Sequence, residues 1–415
     1  DSPLRHTFPG TEDPPIPFPS PALHPDIGVL IFQSICHSLY NVIKYSVLKR
    51  KEEKGAVMQM KREHLFPLDF VRVLAAVSIV VFHYNAVTFM EPIVNKPILL
   101  FFNYANGSMG HIGVSLFFIL AGASLMYSSM EKLDLKTYFK KRFLAIYPLY
   151  WTVYAAFFVY NYLIKHNFAF DKPLSRLLLT TVGMDGYLNY LIPNYYLLGE
   201  WFIGWILLIY LMFPVLRTCM LRWPVLTPVG TALVYIPLTL FYPFQMDIQF
   251  FFLLRVPEVL FGMYFIKYLY GTRQQREKYD WKWGLASFIG VFSVMTVKTS
   301  LPVPFKILWT GIPLFLFLVW VGQFINNTVV KKGISIFSSY TFAIYLVHHI
   351  LVGKFVFPLI GRPVGRLENY LVFWKYFVFI SIAGAVFYWL SRILTGIAAL
   401  LWGSTVSWLR SRKDM

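Results

Sequence analysis

The stretch "LDFVRVLAAVSIVVFHYN", Leu68 to Asn85, decides how the chain must be read. It is apolar over nearly the roughly 20 residues that a membrane-crossing helix needs. Yet it carries Asp69, Arg72 and His83. Ionisable side chains are costly inside a bilayer, and as a rule they face a bundle interior or a water-filled cavity. At about 100° per residue, the eleven-residue interval from Arg72 to His83 returns to within about 20° of three full turns. The two side chains therefore share a helix face, with Ala76 and Ile79 between them. They lie ~16 Å apart along the axis. Asp69 sits about 40° off the same stripe. A helix entering from the cytoplasm puts Arg72 near the inner surface and His83 in the outer half. The plainer alternative is that Asp69 and Arg72 snorkel to the interface and His83 is a hydrogen-bonded core residue.

The rest of the chain agrees with a membrane reading. Of its 415 residues, 57% are hydrophobic and only 14% charged, and 40 are Phe and 27 Tyr. Mean hydropathy is +0.56. A soluble domain of this length needs far more polar surface. The expected fold is an all-α polytopic membrane protein with ten spans, at 67–89, 109–128, 143–164, 196–216, 226–243, 250–269, 283–299, 304–324, 339–358 and 371–395. The net charge of +18 would suit nucleic acid, but Lys and Arg gather in short loops between apolar runs. That pattern marks cytoplasmic loops beside anionic headgroups, so the expected partner is the lipid bilayer and not nucleic acid. With the N-terminus inside, the inner loops and tail collect Lys132, Lys136, Lys140, Lys141 and Arg142 at one end of the chain and Arg410, Arg412 and Lys413 at the other. The outer loops hold only Lys96, Lys165, Lys172, Arg176, Arg362 and Arg366. This bias predicts both termini in the cytoplasm. Cys36 and Cys219 are the only cysteines. They make no disulfide framework, and no Cys/His cluster has metal-site spacing, so no metal is expected.

Residues 1–59 differ from the rest of the chain. "PGTEDPPIPFPSPALHP" is Pro-rich and reads as disordered. Residues 27–48 are apolar but broken by Gln33, Ser34, His37, Asn41 and Lys44. Met60 is followed by "KREHLFPLDF", a natural lead-in to a helix. The expected division is an extension outside the functional core at 1–59, a membrane domain at 60–395, and an apolar and basic tail at 396–415. The apolar part of that tail either extends the last helix or lies at the interface. The longest outer loop, about 165–195, is expected to fold over the outer mouth.

Other ionisable groups fall inside apolar runs. "FLLRVPEVLFGMYF" puts Arg255 and Glu258 three apart on one helical face, with Pro257 as an expected kink. They are either a buried ion pair that fixes packing or part of a site. Glu200 opens the fourth span, either as a helix-start carboxylate favoured by the dipole or as a functional acid. "SSYTFAIYLVHHI" carries His348 and His349. Neighbouring residues point about 100° apart on a helix, so at most one is expected to share a cavity with His83. Span direction puts His83, Arg255, Glu258, Glu200 and His348 toward the outer half. On the inner side, "TYFKKRFLAIYPLYW" concentrates Lys140, Lys141 and Arg142. These are either ordinary positive-inside anchors or a phosphate-binding patch for an anionic donor.

An ordered set of motifs then resembles one family, the acyltransferase-3 family of integral membrane acyltransferases. "PLDFVRVLAAVSIVVFH" resembles its first helix, with Arg, ten residues, then His. "GHIGVSLFFILAGASL" is similar to its second-helix motif, and "KKRFLAIYPLYW" to its basic-then-Ile-x-Pro motif. "EWFIGWILLIYLMFP", "LLRVPEVLFGM" and "SSYTFAIYLVHH" resemble three later signatures. The likeness covers about residues 64–395. It implies transfer of an acyl group, most often acetyl from acetyl-CoA, to a hydroxyl of a carbohydrate or cell-surface glycan, in a bacterial inner membrane. It also implies that His83 is the catalytic residue and that the family's Arg is Arg72. The chain departs from the pattern at Ser115, where many members have Asp. It departs again at Ala145, where many have a second Arg, and at Ile206, where many have Glu. Here the nearby acid is Glu200.

On this resemblance His83 acts as general base on the acceptor hydroxyl, a role suited to a side chain that titrates near neutrality. Catalytic roles are expected for His83, Arg72, Glu200 and His348. Contacts to acyl-CoA and acceptor are expected from Arg72, Lys140, Lys141, Arg142, Arg255 and Glu258. Acyl-CoA enters as co-substrate and a glycan as acceptor. The competing reading is a transporter or flippase for a lipid-linked sugar or anionic solute. Ten spans and a polar interior fit that too, although no inverted repeat of the usual transporter kind is evident. A third is a receptor-like protein with a structural polar core.

Overall fold

The computed structural model describes residues 63–165, 173, 175–195 and 201–413. The expectations for residues 1–59 and for Glu200 lie outside them. The described residues form helices almost throughout. These are α1 (Phe66–Met90), α2 (Met109–Ser128), α3 (Leu135–Lys165), α4 (Arg176–Val182), α5 (Trp201–Arg222), α6 (Leu226–Leu240), α7 (Val256–Tyr264), α8 (Arg273–Glu277), α9 (Trp281–Thr296), α10 (Val303–Gln323), α11 (Thr328–Val356) and α12 (Arg366–Lys413). A two-stranded hairpin, β1 (Asn103–Tyr104) with β2 (Gly107–Ser108), is the only sheet among the described residues.

Seven helices, α1, α2, α3, α5, α10, α11 and α12, are long and apolar enough to cross a membrane. Helices also occupy the other three expected spans, but they are shorter. α6 has 15 residues and α9 has 16. The sixth expected span is not one helix. A short 3-10 turn, Phe252–Arg255, leads into α7, and a π-helical turn, Phe265–Tyr270, closes it. Pro257 therefore sits in the first turn of α7 and does not kink it, because a proline there loses no intrahelical hydrogen bond.

Three helices outrun their expected bounds. α3 begins at Leu135, so Lys140, Lys141 and Arg142 lie within the helix and not ahead of it. α11 begins at Thr328, where Asn327 accepts hydrogen bonds from the backbone of Val329 and Val330. α12 runs without a break to Lys413, so the apolar tail extends the last helix. Hydrophobicity marks what a bilayer covers, whereas a helix continues until a cap or a breaker stops it.

Side-chain contacts fix how the helices run. Ser78 of α1 meets Gly113 of α2, Phe82 meets Gly110, and Arg72 meets Ser124. α1 and α2 are therefore antiparallel. α7 descends alongside α2: Arg255 stacks over Phe118, and Gly262 packs on Ile119. At the crossing, a Cβ on Gly122 would overlap the Val259 carbonyl, and one on Gly262 the Ile119 carbonyl. Small residues of this kind let membrane helices approach backbone to backbone. α11 runs parallel to α1, since Arg72 bonds Ser338 and His83 meets His349. α12 runs antiparallel to α11, with Tyr376 at His348 and Trp389 at Tyr340.

At the His83 end, three asparagines clasp the connections. Asn85 and Leu99 exchange two hydrogen bonds of 3.0 and 2.9 Å. Asn95 does the same with Val364, at 2.7 and 2.9 Å. Asn106 donates to the carbonyls of Val294 and Val297 and accepts from Thr299. Part of the long loop, residues 183–195, also docks. Buried Asp185 accepts from Thr180 at 3.0 Å and from the Tyr150 hydroxyl at 3.4 Å, and Tyr187 accepts from the Phe252 backbone.

Candidate active site

The polar residues of α1 divide between two ends of one seam. At the first end, Asp69 Oδ1 accepts from Arg72 Nη1 at 2.7 Å and from Ser338 Oγ at 2.9 Å. Its other oxygen meets His64 Nε2 at 2.8 Å. Arg72 also donates to Ser338 at 3.0 Å and to Ser124 at 3.3 Å. Three helices thus hold one guanidinium, whose side chain is 30% exposed, while Asp69 is 8% exposed. Asp69 orients Arg72 as well as occupying the first turn of α1, where its charge suits the helix dipole.

Arg142 joins this end. Its guanidinium lies over the rings of Tyr138 and Tyr210, 5.7 and 5.5 Å from their centres. Tyr210 lies within electrostatic reach of both Arg142 and Arg72. Lys140 and Lys141 do not share this position. Arg142 is half-buried, while both lysines are exposed on the helix. The basic triplet therefore splits, because a helix turns consecutive side chains about 100° apart.

At the other end lies an imidazole cluster. The ring of His83 is 4.9 Å from His348 and 4.8 Å from His349, centre to centre. The expectation that only one of these two would meet His83 is corrected. A ring from α1 enters the groove between two neighbouring side chains of α11, so both can touch it. His348 is fully buried, and its Nδ1 lies 2.5 Å from the Tyr345 carbonyl. A carbonyl only accepts, so His348 carries a proton on Nδ1. Among the described residues, no group of three or more His, Cys, Asp or Glu could hold a metal ion.

Arg255 and Glu258 form a buried pair, 2% and 1% exposed, with Nη1 to Oε2 at 3.4 Å. Ser115 donates to the other carboxylate oxygen. An Asp at position 115, as in the family pattern, would here face Glu258. An aromatic wall links this pair to the imidazoles. Phe118 stacks on Phe202, Phe202 meets Tyr345, and Tyr345 meets His348.

The seam brings Arg72 together with Arg142, and His83 with His348. Arg255 and Glu258 stand a wall away, while Lys140 and Lys141 stand apart. The sequence reading missed Ser338 and Tyr210, and it named His349 but gave it no role. A signal pairing Ser338 with His349 was present. Ser338 and His349 are eleven residues apart, the same interval as Arg72 and His83.

No curated protein and no solved structure matches the chain. The acyltransferase-3 family model, described as an acyltransferase domain, matches residues 67–407. That range begins one residue into α1 and takes in both ends of the seam. By that match and this architecture, the chain belongs to the acyltransferase-3 family and is an integral membrane protein of it.

Proposed function

We propose that the protein is a membrane O-acyltransferase. It moves an acyl group, acetyl in the simplest case, from acyl-CoA held at the Arg72 end to a carbohydrate hydroxyl at the His83 end. One observation carries this reading. Arg72 and His83 meet Ser338 and His349 at matching intervals along two parallel helices. A cation and a base therefore stand on one seam, ~16 Å apart. That span is comparable to an extended phosphopantetheine arm. Arg72 and Arg142 bind the phosphates, and Lys140 and Lys141 add positive potential at the same face. Guanidinium groups suit phosphate because their donors form a planar fork.

In the chemical step, a ring nitrogen of His83 takes the proton of the acceptor hydroxyl. The oxygen attacks the thioester carbonyl and forms a tetrahedral oxyanion. Collapse breaks the C–S bond, and the departing thiolate takes the proton back from His83. His348 holds His83 in place, and Arg255 with Glu258 frames the acceptor side. Glu200 is assigned an acidic role in the same step.

The direction of the packed helices supports ten passes. α5 ends near α3's start, since Tyr138 packs on Phe213. α10 begins at the opposite end, because its last turn at Gly322 packs on Pro67 and Phe70. The chain between Arg222 and Val303 must therefore cross an odd number of times. α7 descends beside α2, so α6 and α9 must each climb. Both ends of the membrane domain then share one face, the cytoplasmic one by charge. We assign the protein to a bacterial inner membrane, with residues 1–59 outside the functional core.

The test is purified protein in detergent with labelled acetyl-CoA and a glycan acceptor. Label appearing on the acceptor, and lost in His83→Ala, supports the proposal. Equal labelling by His83→Ala overturns it.

A further inference from the structure

A second polar group stands at the His83 end, and the acyl-transfer step does not use it. His111 lies in the first turn of α2, next to Gly110, which packs on Phe82 beside His83. Its Nδ1 accepts from the Ser108 backbone N–H at 3.2 Å. The ring therefore carries its proton on Nε2, which donates to Gln249 Oε1 at 2.6 Å. This orients the Gln249 amide: the oxygen faces His111 and the NH2 faces away. Among the described residues that NH2 donates to nothing. Arg255 donates through Nε to the Gln249 carbonyl at 2.9 Å and through Nη1 to Glu258. Its Nη2 likewise has no acceptor among the described residues. Arg255 is 2% exposed, yet Nη2 is not among its sealed atoms without a partner, so this donor stays open to a ligand while the rest of the side chain is buried. Beside these donors lie Trp201 and Phe250, both half-buried, with ring centres 4.5 Å apart.

We propose that Gln249, Arg255, Trp201 and Phe250 form an acceptor subsite that binds a sugar ring away from the reacting hydroxyl. The chemistry calls for a ligand with one apolar face and several oxygen acceptors on its edge. A pyranose ring has both. Its C–H face lies on Trp201, and its ring-edge oxygens accept from Gln249 Nε2 and Arg255 Nη2. His111 is a positioning residue, because it acts only by holding the Gln249 amide. The wall from Trp201 through Phe202 and Tyr345 to His348 leads from this subsite to the base. The subsite rests on the carbohydrate-acceptor reading, but its binding can be measured without turnover.

The experiment uses the full chain in detergent carrying His83→Ala, which is inactive on the proposed mechanism. The probes are end-labelled oligosaccharides, one set neutral and one set of uronic acids, followed by equilibrium binding. Trp201→Ala and Gln249→Glu should each weaken binding roughly tenfold, the size of one to two lost contacts. Gln249→Glu keeps an acceptor for His111, replaces the NH2 donor with a carboxylate oxygen and adds a charge; an unchanged unfolding temperature in detergent separates lost binding from lost folding. Restricting binding to the uronic set would assign the Arg255 donor to a carboxylate; binding of both sets would assign it to hydroxyls. Either result supports the subsite. With His83 intact, the same two variants should raise the KM for the acceptor and leave the KM for acyl-CoA unchanged. Absence of binding by both sets, or unchanged binding in both variants, overturns the subsite. Binding that is sensitive to these variants in a protein that never consumes acyl-CoA keeps the subsite and overturns the acyl-transfer reading alone.

Discussion

His83 and His349 face each other across the α1–α11 seam with ring centres 4.8 Å apart. His348 closes the other side at 4.9 Å. The three imidazoles do not contribute equally. His348 is buried with one nitrogen committed to Tyr345, whereas His349 is exposed. General-base catalysis contributes roughly 100-fold or more, so His83→Ala should lower acyl transfer by at least that factor. His349→Ala removes a neighbour and not the base, and should cost about tenfold or less on the same scale. Single-turnover consumption of acetyl-CoA separates the two. Equal losses would move the base assignment away from His83.

Arg72 donates at once to Asp69, Ser338 and Ser124. A lysine ammonium cannot reproduce that planar fork. Arg72→Lys should therefore raise the KM for acyl-CoA by roughly tenfold, near the value of one charge-assisted hydrogen bond. Arg142→Ala should act in the same direction. Lys140→Ala and Lys141→Ala, on the exposed side of α3, should each change it by about twofold or less at physiological salt, because exposed charges are screened. Titrating acyl-CoA against each variant checks the ranking. A lysine variant matching Arg142→Ala would return the basic triplet to a single patch.

The Ser115–Glu258–Arg255 cluster is almost fully buried. Removing one partner of a buried pair strands the other charge, at a cost of about 3–5 kcal/mol. Glu258→Ala should therefore unfold in detergent at a markedly lower temperature than Glu258→Gln, which keeps a hydrogen-bond acceptor for Arg255. Ser115→Asp should also destabilise, because it sets a second carboxylate against Glu258. Thermal unfolding of the three variants tests this. A stable Ser115→Asp protein would show that Glu258 is not the group that excludes an acid from position 115.

Different physical signals account for what the sequence made legible. Apolar runs of bilayer length gave the helices, and the phase of α1 put Arg72 and His83 on one face. Both follow from local periodicity. Helix starts at Leu135 and Thr328 were hidden because caps, and not hydropathy, set them: Asp134 accepts from the Thr137 backbone and Asn327 from that of Val329. The second imidazole against His83 was hidden for another reason. Two neighbouring residues diverge on their own helix, but a ring from a facing helix can lie between them. The Gln249–His111 pair joins residues 138 apart, and nothing local to either one signals the other. The matching eleven-residue spacing of Ser338 and His349 was readable and gives the two polar contacts matching heights, but the parallel direction comes from the contacts themselves.

Asp185 offers a test outside the membrane-spanning helices. Burial raises its carboxyl above the usual carboxylate range, although Gly186, Thr180 and Tyr150 all donate to it and oppose that rise. The folded value lies above the unfolded one, so the folded loop holds the proton more tightly. Its stabilising contribution is complete below the ordinary carboxylate value and is lost as pH rises through the folded value. The docked loop at residues 183–195 should therefore gain resistance to a soluble protease as pH falls from neutrality toward the ordinary carboxylate value. Asp185→Asn keeps one oxygen to accept from Tyr150 and Gly186, turns its NH2 toward the Thr180 hydroxyl, which can accept, and has no charge to gain. It should show resistance that does not change with pH and is at least as high at neutrality as in the wild type. Mass-mapped cleavage rates within the loop, with protease activity normalised at each pH, provide the measurement. A wild-type loop that tightens as pH rises would mean that the ionised carboxylate, held by its three donors, outweighs the cost of its burial.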